Sequence, residues 1–339
     1  MLTGLDHIII GVHDLEQAAQ VFRQKLGLAV SGGGIHPSGG TANRIIVIGD
    51  TYIELIAVNK PEEASPRILE RLAKGEGYLN FVLTSDDIEA DSTAMKERGI
   101  TIFGPTPGEL RSADGRSRGW QRADIEIPEL AQRYPFIIQH DSTGEERRFR
   151  LAGWQTPPRH PLGATQVLST TIAVADPGEA ARRFQHIYGL SPSDSFTGEA
   201  DSWDAMLVAF PLGRLGAGGV KQIDGTTVVA QQSFELAVPL PFSIESDVED
   251  LYLPEPGALA RYLERFGESL CRMTLAVESL EAARRYLDEH GVTYTYKRGN
   301  EESPHPVLWI HPADACGAAI VLHEHDPKFV LSTSGFPDE

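Results

Sequence analysis

His36 lies in GGGIHPSGGTAN, residues 32 to 43, a glycine-rich stretch that also carries Asn43. Imidazole titrates near neutral pH, so His36 is a candidate acid/base. Asn43 is a candidate for orienting a substrate carbonyl through its amide. Each has a plainer reading, with His36 capping a turn and Asn43 holding the loop. The glycines do not form a phosphate loop, because the GK[ST] ending is missing and no helix opens after them. Histidines recur in PHPVLWIHP (His305 and His311) and in LHEHD (His323 and His325). Alternating histidines on a strand can bind metal, but a solvated strand end accounts for them more simply. No serine sits in a GxSxG turn. Cys271 and Cys316 have neither metal-ligand spacing nor a reactive setting.

The elements around these residues repeat. In LDHIIIGVHDLEQAAQVFRQKLGL, residues 5 to 28, a short apolar strand leads to Asp14, a plausible N-cap. Leu15, Ala18, Ala19, Phe22 and Leu26 then recur at helical spacing, and Gly27 ends the helix. VLSTTIAVADPGEAARRFQHIYGL, residues 167 to 190, has the same length and grammar. Val12, Asp14, Phe22 and Gly27 match Val174, Asp176, Phe184 and Gly189 at one constant offset. Weaker copies begin at Gly77 and Leu270. Each copy is followed by short β-like runs: RIIVIGD and TYIELIAV; TIFGP, RGWQRADIEI and PFIIQHD; DAMLVAFPL and SFELAV; VTYTYKR, VLWIHP and AAIVLHEHD. One helix and about three strands per copy make a βαβββ module, and two modules must pair to cover the open face of their sheets. The expected fold is therefore α+β, with four βαβββ modules paired into two domains, residues 1–145 and 160–326. GEERRFR and TPPR, between Gly144 and Arg159, read as the linker.

Composition narrows the partners. The chain has 339 residues, 41% hydrophobic and 23% charged, enough to bury two cores. Its formal net charge of −18 repels phosphate backbones and anionic lipid, which argues against nucleic acid and membrane partners. The longest apolar runs are too short to span a bilayer, and the first residues lack the basic start of a secretory signal. With two cysteines, the expected location is a reducing cytoplasm.

Four such modules, opening on DHI and holding an IEL strand, resemble the vicinal oxygen chelate superfamily of glyoxalases, extradiol dioxygenases and bleomycin-binding proteins. The His-Pro, Gly-Thr and Asn of residues 32 to 43, and HPLGAT at 160 to 165, resemble its glyoxalase-like branch. The resemblance implies a divalent metal (Fe, Mn, Zn or Ni), no organic cofactor, and ligands from the first and last strands of paired modules. It places His7 and Glu54 as metal ligands in the first domain, with Asn80 and Gln139 at the matching places of the second module. Imidazole and carboxylate are good ligands, whereas neutral amides are weak ones, so Asn80 and Gln139 are expected to bind substrate instead. The plainer reading of His7 and Glu54 is a satisfied hydrogen-bonded pair. Strand alternation turns His140 to the other face from Gln139. In the second domain the matching places are Ser169, Glu235, Arg272 and His323. An arginine cannot ligate a metal, so that cup is expected to be structural or a pocket for an anion, blocked or occupied by Arg272. Trp120, Tyr52, Tyr78, Phe81 and Phe136 are candidate cup-wall residues, with Trp120 also counted as substrate-binding.

Two functions follow from the resemblance. In one, a metal on His7 and Glu54 stabilises an enolate or vicinal-oxygen intermediate of a small substrate, in a lyase, isomerase or dioxygenase, with His36 moving the proton. Metal-free proton chemistry in the same cup is a variant of it. In the other, the protein binds or sequesters a small molecule without chemistry, as bleomycin-resistance proteins do. A homodimer is compatible with both.

Overall fold

The computed structural model describes residues 1–112, 115–125, 134–156, 158–192, 196–197, 205–213, 220–223, 226–229, 232–239, 255, 257–299 and 305–324. Two curled sheets organise the chain. The first contains β1 (Leu2–Gly11), β2 (Thr41–Ile48), β3 (Thr51–Val58), β4 (Gly77–Ser85), β5 (Ile102–Arg111), β6 (Ser117–Ile125) and β7 (Phe136–His140), in the order β2-β3-β1-β4-β7-β6-β5. β1 pairs parallel with β3 and antiparallel with β4, so the first two modules join through their first strands. The second sheet contains β8 (Ala164–Ala173), β9 (Phe196–Thr197), β10 (Ala205–Pro211), β13 (Ser233–Pro239), β14 (Ser269–Val277), β15 (Tyr294–Lys297), β16 (Val307–Ile310) and β17 (Ala319–Glu324). Its order is β15-β16-β17-β14-β8-β13-β10-β9, with β8 and β14 antiparallel at the join. The α+β arrangement of four related modules in two sheets is the one the repeat implies.

The helices start where the sequence supplies a cap. Asp14 accepts from the Glu16 and Gln17 amides to open α1 (Leu15–Gln20), which runs on as a π-helical turn, Val21–Lys25, to Gly27 at φ +59°. Asp87 caps α3 (Ile88–Glu97), Asp176 caps α5 (Pro177–Tyr188), and Ser279 caps α7 (Leu280–Glu289). α2 (Pro66–Ala73) and α6 (Ala258–Phe266) precede β4 and β14. The main apolar core gathers Ile8, Phe22, Ile53 and Phe81 with Phe184, Phe234, Met273 and Leu322, so both sheets contribute to it.

Three local details differ from the sequence reading. In the first module the strand after α1 is reduced to isolated bridges, Ser31 to Ile45 and Ile35 to Ala42, because the glycine-rich run offers few side chains to pack. Between β10 and β13, where the sequence GRLGAGGVKQIDGTT at residues 213 to 227 reads as a long loop, there is a hairpin, β11 (Val220–Ile223) with β12 (Thr226–Val229). GEERRFR is not bare linker: it forms α4 (Gly144–Ala152), whose Leu151 and Ala152 pack on Ile45, Val47 and Tyr52 of the first sheet. His325 lies outside the described residues.

The two cups differ in what fills them. In the second, α6 supplies Leu259 and Tyr262 to an apolar cluster with Cys271, Val307 and Trp309. Arg272 is fully buried there, with NH2 donating to Glu235 Oε2 at 2.7 Å and Nε to Thr171 Oγ1 at 3.0 Å. Burial pushes the Cys271 thiol up to about 12. The first cup holds a cavity of about 650 Å³.

Candidate functional site

The first cup is built by strand alternation. On β3, Tyr52, Glu54 and Ile56 line the cavity, while Ile53 and Leu55 enter the main core. On β1, His7 and Ile9 face the cavity and Ile8 and Ile10 face the core. The register of β1 against β4 slips between Leu5 and His7, which makes Asp6 the extra residue of a bulge. That bulge brings Asp6 and His7 together on the cup side, against strict alternation.

Asp6, with no exposure, is the hub behind the site. Its Oδ1 lies 2.7 Å from His7 Nδ1 and 3.3 Å from His140 Nε2, and its Oδ2 accepts from Arg147 NH2 at 2.7 Å. Burial works to raise its pKa, but Arg147 and His140 outweigh it and hold the carboxyl well below its ordinary value. An ionised carboxylate only accepts, so His7 Nδ1 carries a proton toward Asp6 and Nε2 is aimed at Glu54. The Tyr52 ring stacks on His7, with centroids 4.6 Å apart.

Glu54 stands between two imidazoles. His7 Nε2 is 3.6 Å from Oε2 and His36 Nε2 is 3.3 Å from Oε1. Asn43 Nδ2 donates to Oε1 at 2.5 Å, and Asn43 Oδ1 accepts from the Gly34 amide at 2.8 Å. His36 Nδ1 is 2.7 Å from Thr41 Oγ1. Burial opposes ionisation of Glu54, yet the His36 hydrogen bond, the charge of His7 and Asn43 lower its pKa to about 2. The loop can wrap this way because Gly33 has φ +105° and passes so close to the Asn43 carbonyl that a Cβ would lie 2.1 Å from its oxygen.

Four of the residues singled out from sequence therefore meet: His7, Glu54, His36 and Asn43. Trp120 and Asn80 line the same cavity. The Asn80 amide is engaged, with Nδ2 donating to the Tyr134 carbonyl at 3.0 Å and Oδ1 accepting from Phe81 N. Gln139 turns the other way. Its Oε1 accepts from Ile88 N at the start of α3 and its Nε2 donates to the Asp86 carbonyl. Phe136, Ile138 and His140 are the cup-facing residues of β7, so His140 holds the place assigned to Gln139. An apolar run such as PFII fits either register, and this corrects the assignment. Asp6, Arg118 and Arg147 were not singled out, and His140, read as turned away from the cup, lines it. The signal for Asp6 was its place beside His7 in an otherwise apolar strand. Arg147 gave none, since the helix carrying it is remote in sequence.

The donor set does not match the divalent metal the resemblance implies. His7 Nε2 and Glu54 Oε2 face one another, but His36 approaches the opposite carboxylate oxygen, His140 is committed to Asp6, and Asn80 to Tyr134. Among the described residues no group of three or more His, Cys, Asp or Glu is gathered to hold a metal ion. This donor set falls short of the three protein ligands common in catalytic metal sites.

A pair of curled sheets with one open, histidine-lined cup defines a glyoxalase/dioxygenase-like protein. Residues 5–188 match the Glyoxalase-like domain family, and the chain belongs to that family, within the vicinal oxygen chelate superfamily. It is similar to an ethylmalonyl-CoA/methylmalonyl-CoA epimerase of Cereibacter sphaeroides, with 33% identity over 106 residues, 31% of this chain and 77% of the relative. In fold it is similar to a hypothetical protein from Staphylococcus aureus, with a TM-score of 0.58 and 13% identity, covering 96% of this chain and all of the other. A variant of 4-hydroxymandelate synthase from Streptomyces coelicolor gives a TM-score of 0.56 at 11% identity, covering 97% of this chain and 95% of the other. Family membership and the Cereibacter relative support a small-molecule enzyme at a coarse level. No helix among the described residues is long and apolar enough to cross a membrane.

Proposed function

We propose that the first cup catalyses proton transfer at a carbon next to a carbonyl, through an enolate, as an isomerase- or lyase-type enzyme on a small molecule. The observation that carries this is Glu54 held between His7 and His36, with His7 oriented from behind by Asp6. A carboxylate with a pKa near 2 is a poor base at neutral pH, so the imidazoles are the proton carriers and Glu54 stabilises the imidazolium that forms. His7 Nε2 takes the proton from carbon. The C–H electron pair becomes the C=C bond of the enolate, and the carbonyl π pair moves to oxygen. The proton then returns from His7; in an inverting turnover His36 enters as the imidazolium and gives its own proton to the opposite face of that carbon, while His7 keeps the first. The name of the Cereibacter relative, an epimerase of acyl-CoA thioesters, supports this chemistry, and a thioester is one suitable carbonyl.

The test is deuterium exchange. The protein is incubated in D2O with methylmalonyl-CoA and with small 2-oxo acids, and the α-proton signals are followed by NMR. Exchange well above buffer is expected, falling about 100-fold or more in His7→Asn. Exchange no faster than buffer across the panel overturns the reading. The second reading is a divalent cation held by only two protein ligands, His7 Nε2 and Glu54 Oε2, which face one another 3.6 Å apart. Elemental analysis after titration with iron, manganese, zinc and nickel decides it. Metal retained by the parent and lost in Glu54→Gln supports the cation. Pure sequestration predicts tight ligand binding with no exchange.

A further inference from the structure

Arg118, on β6, is 5% exposed and lines the first cup. Among the described residues its guanidinium has no hydrogen-bond or ion-pair partner, and the Tyr52 ring, 6.0 Å from Cζ, is its aromatic neighbour. The other arginines of this region are engaged. Arg122 grips Asp124 at 2.8 and 2.5 Å and lies 3.7 Å from the Phe136 ring centroid. Arg71 donates to the Gly75 carbonyl at 2.8 Å and lies over Phe266. Arg147 is bound to Asp6. Among the described residues Arg118 thus presents a guanidinium without a protein partner to the cavity, where the anionic group of a ligand can meet it.

We propose that Arg118 anchors a carboxylate of the substrate, so that the first cup acts on small compounds bearing a carboxylate near the enolisable carbon; this rests on the proton-transfer reading of the same cup. The fork of a guanidinium matches a carboxylate through two parallel hydrogen bonds. The charges in the cup leave room for such an anion. Asp6 is paired with Arg147 and Asp124 with Arg122, whereas among the described residues no carboxylate is paired with Arg118. Tyr52 stands between the two functions, its ring 4.6 Å from the His7 ring and 6.0 Å from the Arg118 guanidinium. A compact acid can therefore reach both. Because the carboxylate is charged throughout the reaction, the anchor acts on ground state and transition state alike and should be felt in KM, whereas a donor to the enolate oxygen would be felt in kcat.

The test uses malonate as probe, malonamide as its neutral counterpart and inorganic phosphate as a competing anion, with binding read by calorimetry and by Trp120 fluorescence. The parent should bind malonate and not malonamide. Arg118→Gln should weaken malonate at least tenfold, with Arg118→Lys between the two. Without ligand, Arg118→Gln should melt at the parent temperature, because the change breaks no hydrogen bond or ion pair among the described residues. Unchanged malonate affinity in Arg118→Gln overturns the anchor, as does a lowered melting temperature with binding intact. Phosphate displacing malonate at equal concentration overturns the carboxylate class. Malonate held through Arg118 without deuterium exchange in the parent keeps the anchor and sinks the proton-transfer reading. Exchange on a carboxylate substrate that Arg118→Gln retains at unchanged KM keeps that reading and sinks the anchor.

Discussion

Arg147 on α4 donates to Asp6 Oδ2 at 2.7 Å, and Asp6 in turn lies 2.7 Å from His7 Nδ1, so a helix from the end of the first domain sets the orientation of a residue on its first strand. Arg147→Met leaves a fully buried carboxylate with only imidazoles beside it. The expected loss is about 3 kcal/mol in urea unfolding at neutral pH. Asp6→Asn combined with Arg147→Met should lose less than the sum of the two single changes, because they share one interaction. Proton exchange in the cup should fall in both single variants, since each disturbs the orientation of His7.

Glu54 gives the acid side of the stability profile. Its pKa falls from an ordinary 4.5 to about 2, and a depressed carboxylate contributes stability that is present above the ordinary value and lost as pH falls through the folded one. Asp6 is shifted in the same direction. Unfolding free energy should therefore decline between about pH 4.5 and pH 2, with Glu54 accounting for about 3 kcal/mol of the decline. Glu54→Gln should flatten this part of the curve. A profile of the same steepness in parent and Glu54→Gln would show that Glu54 does not contribute to it.

His160, from the HPLGAT segment, is a staple and not part of the cup. Its Nδ1 accepts from the Ala29 amide at 2.9 Å and its Nε2 is 2.9 Å from the Val47 carbonyl. His160→Ala strands both backbone groups and should cost about 1–3 kcal/mol, with exchange activity per folded molecule unchanged. Burial lowers its pKa, with the Val47 hydrogen bond opposing. The unfolded chain then binds the proton more readily, so the parent should lose stability as pH falls below about 6.5, and His160→Ala should lose less there. Loss of exchange at constant stability would place His160 in the cup machinery instead.

The repeat made the modules and their pairing legible, because the caps Asp14, Asp87, Asp176 and Ser279 act locally and the apolar periods follow the core. His7 and Glu54 were legible through the resemblance to the superfamily, and His36 and Asn43 through their residue types in a glycine-rich stretch; the fold brings the four together. Gln139 was misplaced by one residue, since nothing in FIIQH fixes which face the strand presents until its partners Val82 and Thr84 set the register. Asp6 reaches His7 and His140 from behind the cup through a bulge, which departs from the alternation used to read the strand. Arg118 and Arg147 were missed for a different reason. A charged residue in a strand or in an acidic-basic helix is ordinarily a solvated one, and only the tertiary fold shows that these two are inside.

The second cup provides the last prediction. Arg272, with no exposure, donates to Glu235 and Thr171, and Thr171 Oγ1 donates to Glu235 Oε2 at 2.6 Å. This group sits beneath α6, whose Leu259 and Tyr262 belong to the apolar filling of that cup. Glu235→Leu alone leaves a buried guanidinium without its carboxylate and should cost about 3–5 kcal/mol. Arg272→Met alone should cost less, because Glu235 is partly exposed and can turn toward water. The double variant, Arg272→Met with Glu235→Leu, replaces the ion pair by apolar side chains and should lie within about 1–2 kcal/mol of the parent. Malonate binding and deuterium exchange should be unchanged in the double variant, because both are assigned to the first cup. If that variant folded with parental stability but lost either one, the second cup would be more than a filled support, and the division of labour between the two sheets would have to be redrawn.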